Sequence, residues 1–262
     1  MGRTQRWLGT LLAVYYAYMV EYRAELLFWM LSGSLPIILM GAWIEAAQGD
    51  RFALGAVEFA RYFISVFLVR QFTIVWVVWE FEKEVVQGKL SLRLLQPLDP
   101  GWHHFVSHIS ERLARLPLVF VLLVFCFWLY PQAWWWPGLG RVLAGAIAIA
   151  AAFILRFLFQ YTTAMLAFWT ERASAIEEMF FIFYVFLSGY IAPLAVFPET
   201  VSQIALWTPF PYMLYVPAAL LAGLPVNLGQ AVLVVTGWSW LLFLLNRWAW
   251  RRGLRHYSGM GA

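Results

Sequence analysis

Residues 80–100 read EFEKEVVQGKLSLRLLQPLDP, a charged island between two long apolar runs at 59–79 and 116–136. Glu80, Glu82 and Glu84 stand at alternate positions. A carboxylate at mid-depth in hydrocarbon costs several kcal/mol, so these three belong in water or against another protein. Gly88 is a helix stop, and a short leucine-rich turn follows, closed by Pro97 and Pro100. A segment charged at one end, greasy at the other and hung between two spans suits docking. It reads as the place where a soluble partner pushes on a membrane-embedded part.

Composition agrees. Of 262 residues 63% are hydrophobic and only 12% charged, a balance that a water-soluble domain could hardly keep in solution. Runs of about 20 apolar residues, enough for roughly 30 Å of hydrocarbon, recur along the chain. The expectation is an all-α polytopic membrane protein forming one domain over 1–262. The start carries basic residues, but Glu21, Arg23 and Glu25 interrupt the apolar stretch and no small-residue cleavage site follows. A removable signal peptide is therefore not expected. The single cysteine, Cys126, lies inside an apolar run and has no partner for an intrachain disulfide.

Outward from the island, bulky residues at 7, 8, 11, 12, 15, 18, 19 and 22 form a stripe beside Arg3, Arg6 and Arg23. That pattern predicts an interfacial helix over 5–24. Six spans are predicted at 26–46, kinked at Pro36, and at 59–79, 116–136, 141–169, 179–196 and 226–246. Residues 102–115 hold three histidines, Glu111, Arg112 and Arg115, and read as a second interfacial helix. Tyr130 and Trp134–Trp136 mark the exit of the third span as an aromatic belt. Between spans five and six, Pro193, Pro198, Pro209, Pro211 and Pro217 would break any continuous helix. Residues 197–223 are therefore expected to dip into the membrane and return as a re-entrant hairpin, shielded by protein.

Orientation follows from lysine and arginine. With six spans and the N-terminus inside, thirteen of these residues fall on the inner side. Arg51, Arg61 and Arg141 fall on the outer side. The positive-inside rule then makes 80–100 and both termini cytoplasmic and turns the hairpin outward.

His104, His108 and Glu111 share one helix face at a spacing that zinc could use, but such groups on interfacial helices ordinarily contact headgroups, and no metal is expected. Arg70 and Arg156 lie near the middle of spans two and four with no acid expected at their depth. Either they line a pathway, or they hydrogen-bond a broken-helix carbonyl or a partner. Sixteen tryptophans offer cation–π surfaces, yet most belong to belts and packing.

Three stretches carry a family resemblance: EVVQGKLSLRLLQPLDP at 84–100, SGYIAPLAVFP at 188–198 and WTPFPYMLYVP at 207–217. With an amphipathic first helix, six spans and a re-entrant hairpin, the chain resembles the type-2 exporter permeases of bacterial ABC transporters nearly end to end. Members of that branch often carry a basic residue before the first proline of the LLxPL turn, where this chain has Gln96.

The resemblance implies a permease that is not an enzyme and holds no cofactor. ATP and Mg would be bound by two copies of a separate ATP-binding subunit, and the permease would pair with a second one, identical or homologous, in the bacterial inner membrane. The sequence agrees in lacking a GxxxxGK[ST] phosphate loop. Glu80, Glu82, Glu84, Val85, Val86, Leu90 and Leu94 would then form the docking face. Arg70, Arg156, Ser188, Gly189, Phe197, Leu206, Trp207 and Phe210 would form the pathway and its outer gate. Short outer loops favour a lipid-like or amphiphilic, drug-like substrate, and no nucleic-acid partner is expected. The alternative is an ATP-independent secondary transporter or lipid-modifying membrane enzyme. It would call for inverted repeats, intramembrane acids or clustered catalytic residues, and the sequence offers none of these.

Overall fold

A computed structural model describes residues 3–49, 52 and 54–257. Arg51 and the side chains of Arg3 and Arg6 lie outside the described residues. Every regular element among the described residues is helical: α1 (Arg3–Glu21), α2 (Arg23–Ser32), α3 (Leu35–Ala46), α4 (Ala56–Thr73), α5 (Val77–Val86), α6 (Leu90–Leu94), α7 (Pro100–Leu129), α8 (Leu139–Ala164), α9 (Ala173–Leu187), α10 (Glu199–Ala205), α11 (Phe210–Met213), α12 (Tyr215–Ala222) and α13 (Leu228–His256). Among the described residues five stretches are long and apolar enough to cross a membrane: Arg23–Ala46, Ala56–Val86, Pro100–Leu129, Leu139–Phe168 and Leu228–His256. Their outward faces are strongly apolar, with Phe28, Ile38, Phe120, Trp128, Ile147, Val232 and Trp240 all exposed. Lipid, not water, is the solvent such a surface requires.

The elements depart from the sequence reading in three places, each for a local reason. The first apolar stretch breaks at Gly33–Ser34 instead of kinking at Pro36, because the proline sits in the first turn of α3, where its missing N–H costs nothing. The second breaks at 74–76, where Ile74 turns extended, separating α4 from α5. The expected interfacial helix at 102–115 is not separate. It is the first half of α7, which runs unbroken through Pro117 to Leu129.

Two apolar clusters hold the bundle together, one toward each end. One joins α3 and α4 to α8, α12 and the start of α13 through residues such as Phe59, Tyr62, Phe63, Leu155, Met213 and Leu214. The other joins α5 and α6 to the far ends of α8 and α13 through Phe81, Leu90, Phe157, Phe168 and Trp250. Gly253 is indispensable to the second, since a Cβ there would fall 2.0 Å from the Phe168 ring. Helix α1 lies along α7, where Tyr15 Oη is 3.2 Å from His103 Nδ1 and Ser110 Oγ donates to the Leu12 carbonyl at 3.3 Å.

Candidate functional site: a docking element and a broken-helix lid

The break at 74–76 frees backbone groups that must find partners once buried. Helix α7 supplies them. Arg112 donates to the carbonyls of Phe72 and Ile74, and the Trp76 N–H donates to His108 Nε2 at 3.1 Å. The Arg112 guanidinium also covers the Phe153 ring at 4.0 Å. Arg115 pairs with Glu111 one turn away. The polar start of α7 is thus buried against α4 and α5, not laid on headgroups. His104, His108 and Glu111 point to different partners, and no group of three potential ligands converges on a metal position among the described residues.

Helix α5 emerges from this break as an amphipathic rod. Val77, Val78, Phe81 and Val85 face inward, with Phe81 in edge or tilted contact with Tyr161, Phe168 and Trp250. Gly88, at φ 70°, makes the turn into α6 that an L side chain would resist. Arg93 of α6 reaches back to Glu84 at 2.7 Å.

The three glutamates that define the island are each tied inside the chain. Glu80 and Glu84 flank His104, at 3.2 and 3.4 Å from its two ring nitrogens. Glu82 accepts from both the N–H (2.6 Å) and the hydroxyl (3.1 Å) of Ser174, in the first turn of α9. A carboxylate at that point satisfies an orphan amide and sits favourably at the positive end of the helix dipole. Sequence reasoning missed His104 and Ser174 as partners, because both lie far along the chain.

Val85 and Leu90 also differ from expectation. Both are buried in this chain's own core, so the apolar surface left open is Val86 and Leu94, joined by Leu92 and Leu95. Leu95 is 84% exposed, an extreme value for a leucine beside charged residues. Next to this patch a groove of about 430 Å³ runs between α5 and Glu171, lined by Trp79, Glu82, Lys83 and Gln87 among others.

At the opposite end, 188–227 is a chain of short helices whose free carbonyls are met by side chains of neighbouring elements. Tyr62 Oη donates to Gly189 O at 2.7 Å, and Trp43 Nε1 to Ile191 O at 2.8 Å. Trp135 Nε1 donates to Leu221 O (2.8 Å) and Trp238 Nε1 to Trp207 O (3.0 Å), while Tyr212 Oη caps Leu206 O (2.7 Å). Indole and phenol rings suit this work, since one end is apolar and the other donates. Gly189 has φ 81°, and a Cβ there would meet Tyr62 Oη at 2.5 Å. Ser188 is buried beside it. Trp207 is exposed, while Phe197, Leu206 and Phe210 are partly covered, Phe210 lying edge-on to Phe159. Arg61 and Arg141 lie at this end, against Trp135 and Gly223 respectively.

The two mid-span arginines have distinct surroundings. Arg70 donates to the Gly33 carbonyl at the α2–α3 break (3.1 Å) and lies 4.9 Å from the Tyr190 ring centre. Arg156 is buried over the Tyr184 ring at 4.1 Å. It borders a cavity of about 10 Å³ together with Gln160 and Glu177, and Gln160 donates to Glu177 at 2.8 Å. The expectation that no acid approaches Arg156 fails here, because Glu177 is carried inward by the first turns of α9.

A bundle of long, lipid-facing helices with the amphipathic α5 at one end defines an integral, multi-pass membrane protein. Residues 52–261 match the family described as ABC-2 family transporter protein. The match covers well over half of the chain, which therefore belongs to that family and is a membrane transport permease. No curated protein matches the chain.

Proposed function

We propose that the chain is the permease subunit of an ATP-driven exporter, energised by two copies of a separate ATP-binding subunit that carries ATP and Mg. Helices α5 and α6, within the coupling segment 80–100, are the docking element, and a second permease completes the pathway. In this reading α9 and the irregular stretch to 196 form the fifth of six spans. Alone, α9 would reach only about 22 Å at 1.5 Å per residue. Residues 197–223 form the re-entrant outer lid. Both termini face the cytoplasm of a bacterial inner membrane, as the clustering of arginine near the α13 C-terminus and of Arg61 and Arg141 at the other end supports. The substrate is lipid-like or amphiphilic, selected between spans.

The observation that carries this reading is the contact of Glu82 with Ser174. It fastens the docking rod to the start of α9, so a push on α5 is delivered to the helix that leads up to the lid. Co-purification tests it. Replacing Leu92 and Leu95 together by glutamate should leave the permease inserted and folded but strip the ATP-binding subunit from it. Undiminished recovery of that subunit would end the docking assignment.

One observation favours the ATP-independent alternative: the buried Glu177 beside Arg156 and Gln160 is the kind of group that ion-coupled carriers use. Transport that survives ATP depletion but is lost in Glu177→Gln would select that alternative.

A further inference from the structure

Near the same end as α5, but on the outside of the bundle, α7, α8 and α13 enclose a groove of about 230 Å³. Its floor is one face of α8, where Ile154, Phe157, Leu158 and Tyr161 recur at helical spacing over about 10 Å of helix. Trp102 and Phe243 form its walls and, like Ile154, are more than two-fifths exposed on the apolar outer surface. The groove is polar at one end only. There Arg247 donates to Asp99 at 2.9 Å, and each side chain of the pair is about one-third exposed. Two donors at that end have no acceptor among the described residues: the Tyr161 hydroxyl, on a residue only 3% exposed, and Arg247 Nε.

A buried donor left without a partner is costly, so its presence at the floor of an open groove points to an acceptor that arrives with a ligand. The ligand must be amphiphilic, with acceptor oxygens at its head and a chain lying toward Ile154, the deeper end in a membrane. A head of net negative charge would meet the Asp99 carboxylate. A zwitterionic head instead sets its phosphate oxygens on Arg247 and Tyr161 and its ammonium toward Asp99.

We propose that this groove is a seat for one zwitterionic glycerophospholipid of the leaflet nearest α5, held as a resident lipid and not as cargo. That this leaflet is the cytoplasmic one rests on the orientation given above; the binding itself does not. The seat lies where α7 leaves the docking segment, with Asp99 both capping α7 through the Gly101 N–H and anchoring α13. The lipid therefore bridges the coupling element and the last span.

Native mass spectrometry of the full chain released from detergent micelles tests the proposal. The chain is offered equal amounts of phosphatidylethanolamine, phosphatidylglycerol and diacylglycerol with identical acyl chains. One phosphatidylethanolamine should be retained in preference to the other two. Tyr161→Phe, which deletes a single hydroxyl, should lower its occupancy about fivefold. Ile154→Trp, which fills the chain end of the groove, should abolish retention while eluting in size exclusion as the unaltered chain does. Equal retention of phosphatidylglycerol would overturn the headgroup assignment. Retention unchanged in Tyr161→Phe would overturn the site and leave annular lipid only. No ATP or partner subunit enters the measurement, so it fails or succeeds apart from the exporter reading.

Discussion

At the scale of single residues, the fold is held by side chains that repair broken backbone. Gly189 shows how little tolerance that leaves. Its φ of 81° is one that an L residue adopts at a cost of about 1–2 kcal/mol, and a Cβ would also collide with Tyr62 Oη and Tyr215 Cβ. Gly189→Ala should therefore lower the thermal midpoint in micelles sharply. Ser188→Ala next to it, whose buried hydroxyl finds no partner among the described residues, should be neutral or slightly stabilising. Equal midpoints for the two variants would show that the close approach at Gly189 carries no weight. Arg112 is the second test. A lysine in its place keeps the charge but loses the fork that reaches two carbonyls at once. Arg112→Lys should cost about 1–3 kcal/mol for the carbonyl left bare. A variant as stable as the parent would mean that the 74–76 break needs no clamp.

At the scale of elements, the sequence marks what is local and conceals what is distant. The island at 80–100, the stop at Gly88 and the proline-broken stretch after α9 were legible, since charge, glycine and proline act on their own neighbourhood. What α5 touches was not. The glutamates looked destined for water or for another protein, yet His104 and Ser174 take them up, and both lie in other helices of this chain. The same distance hid Glu177 from Arg156. Residues 102–115 misled for a related reason, because an arginine- and histidine-rich face reads as interfacial until a broken neighbour claims its donors. The Glu82–Ser174 contact gives the prediction at this scale. Glu82→Ala removes the cap of α9 and should cost about 1 kcal/mol of stability. In a reconstituted complex it should also leave ATP hydrolysis running while export falls. Export and hydrolysis that decline in step would place the mechanical link elsewhere.

At the scale of the whole molecule, the two ends differ in kind. One carries α5, α6, the exposed leucines and the arginine-rich end of α13; the other carries the proline-broken stretch 188–227 with its tryptophan and tyrosine caps. Composition foretold a polytopic helical protein, and the five membrane-length stretches bear that out. Where each stretch breaks was less legible, because a break is decided by which neighbour can accept or donate there. The direct measurement of the central claim is site-specific photo-cross-linking in intact membranes, with a photoreactive phenylalanine analogue at Leu95 and, as the opposite-end control, at Trp207. The docking account predicts an adduct between the Leu95 position and an ATP-binding subunit, and none from Trp207. Adducts from Leu95 to lipid alone, or the same protein adduct from both positions, would contradict it.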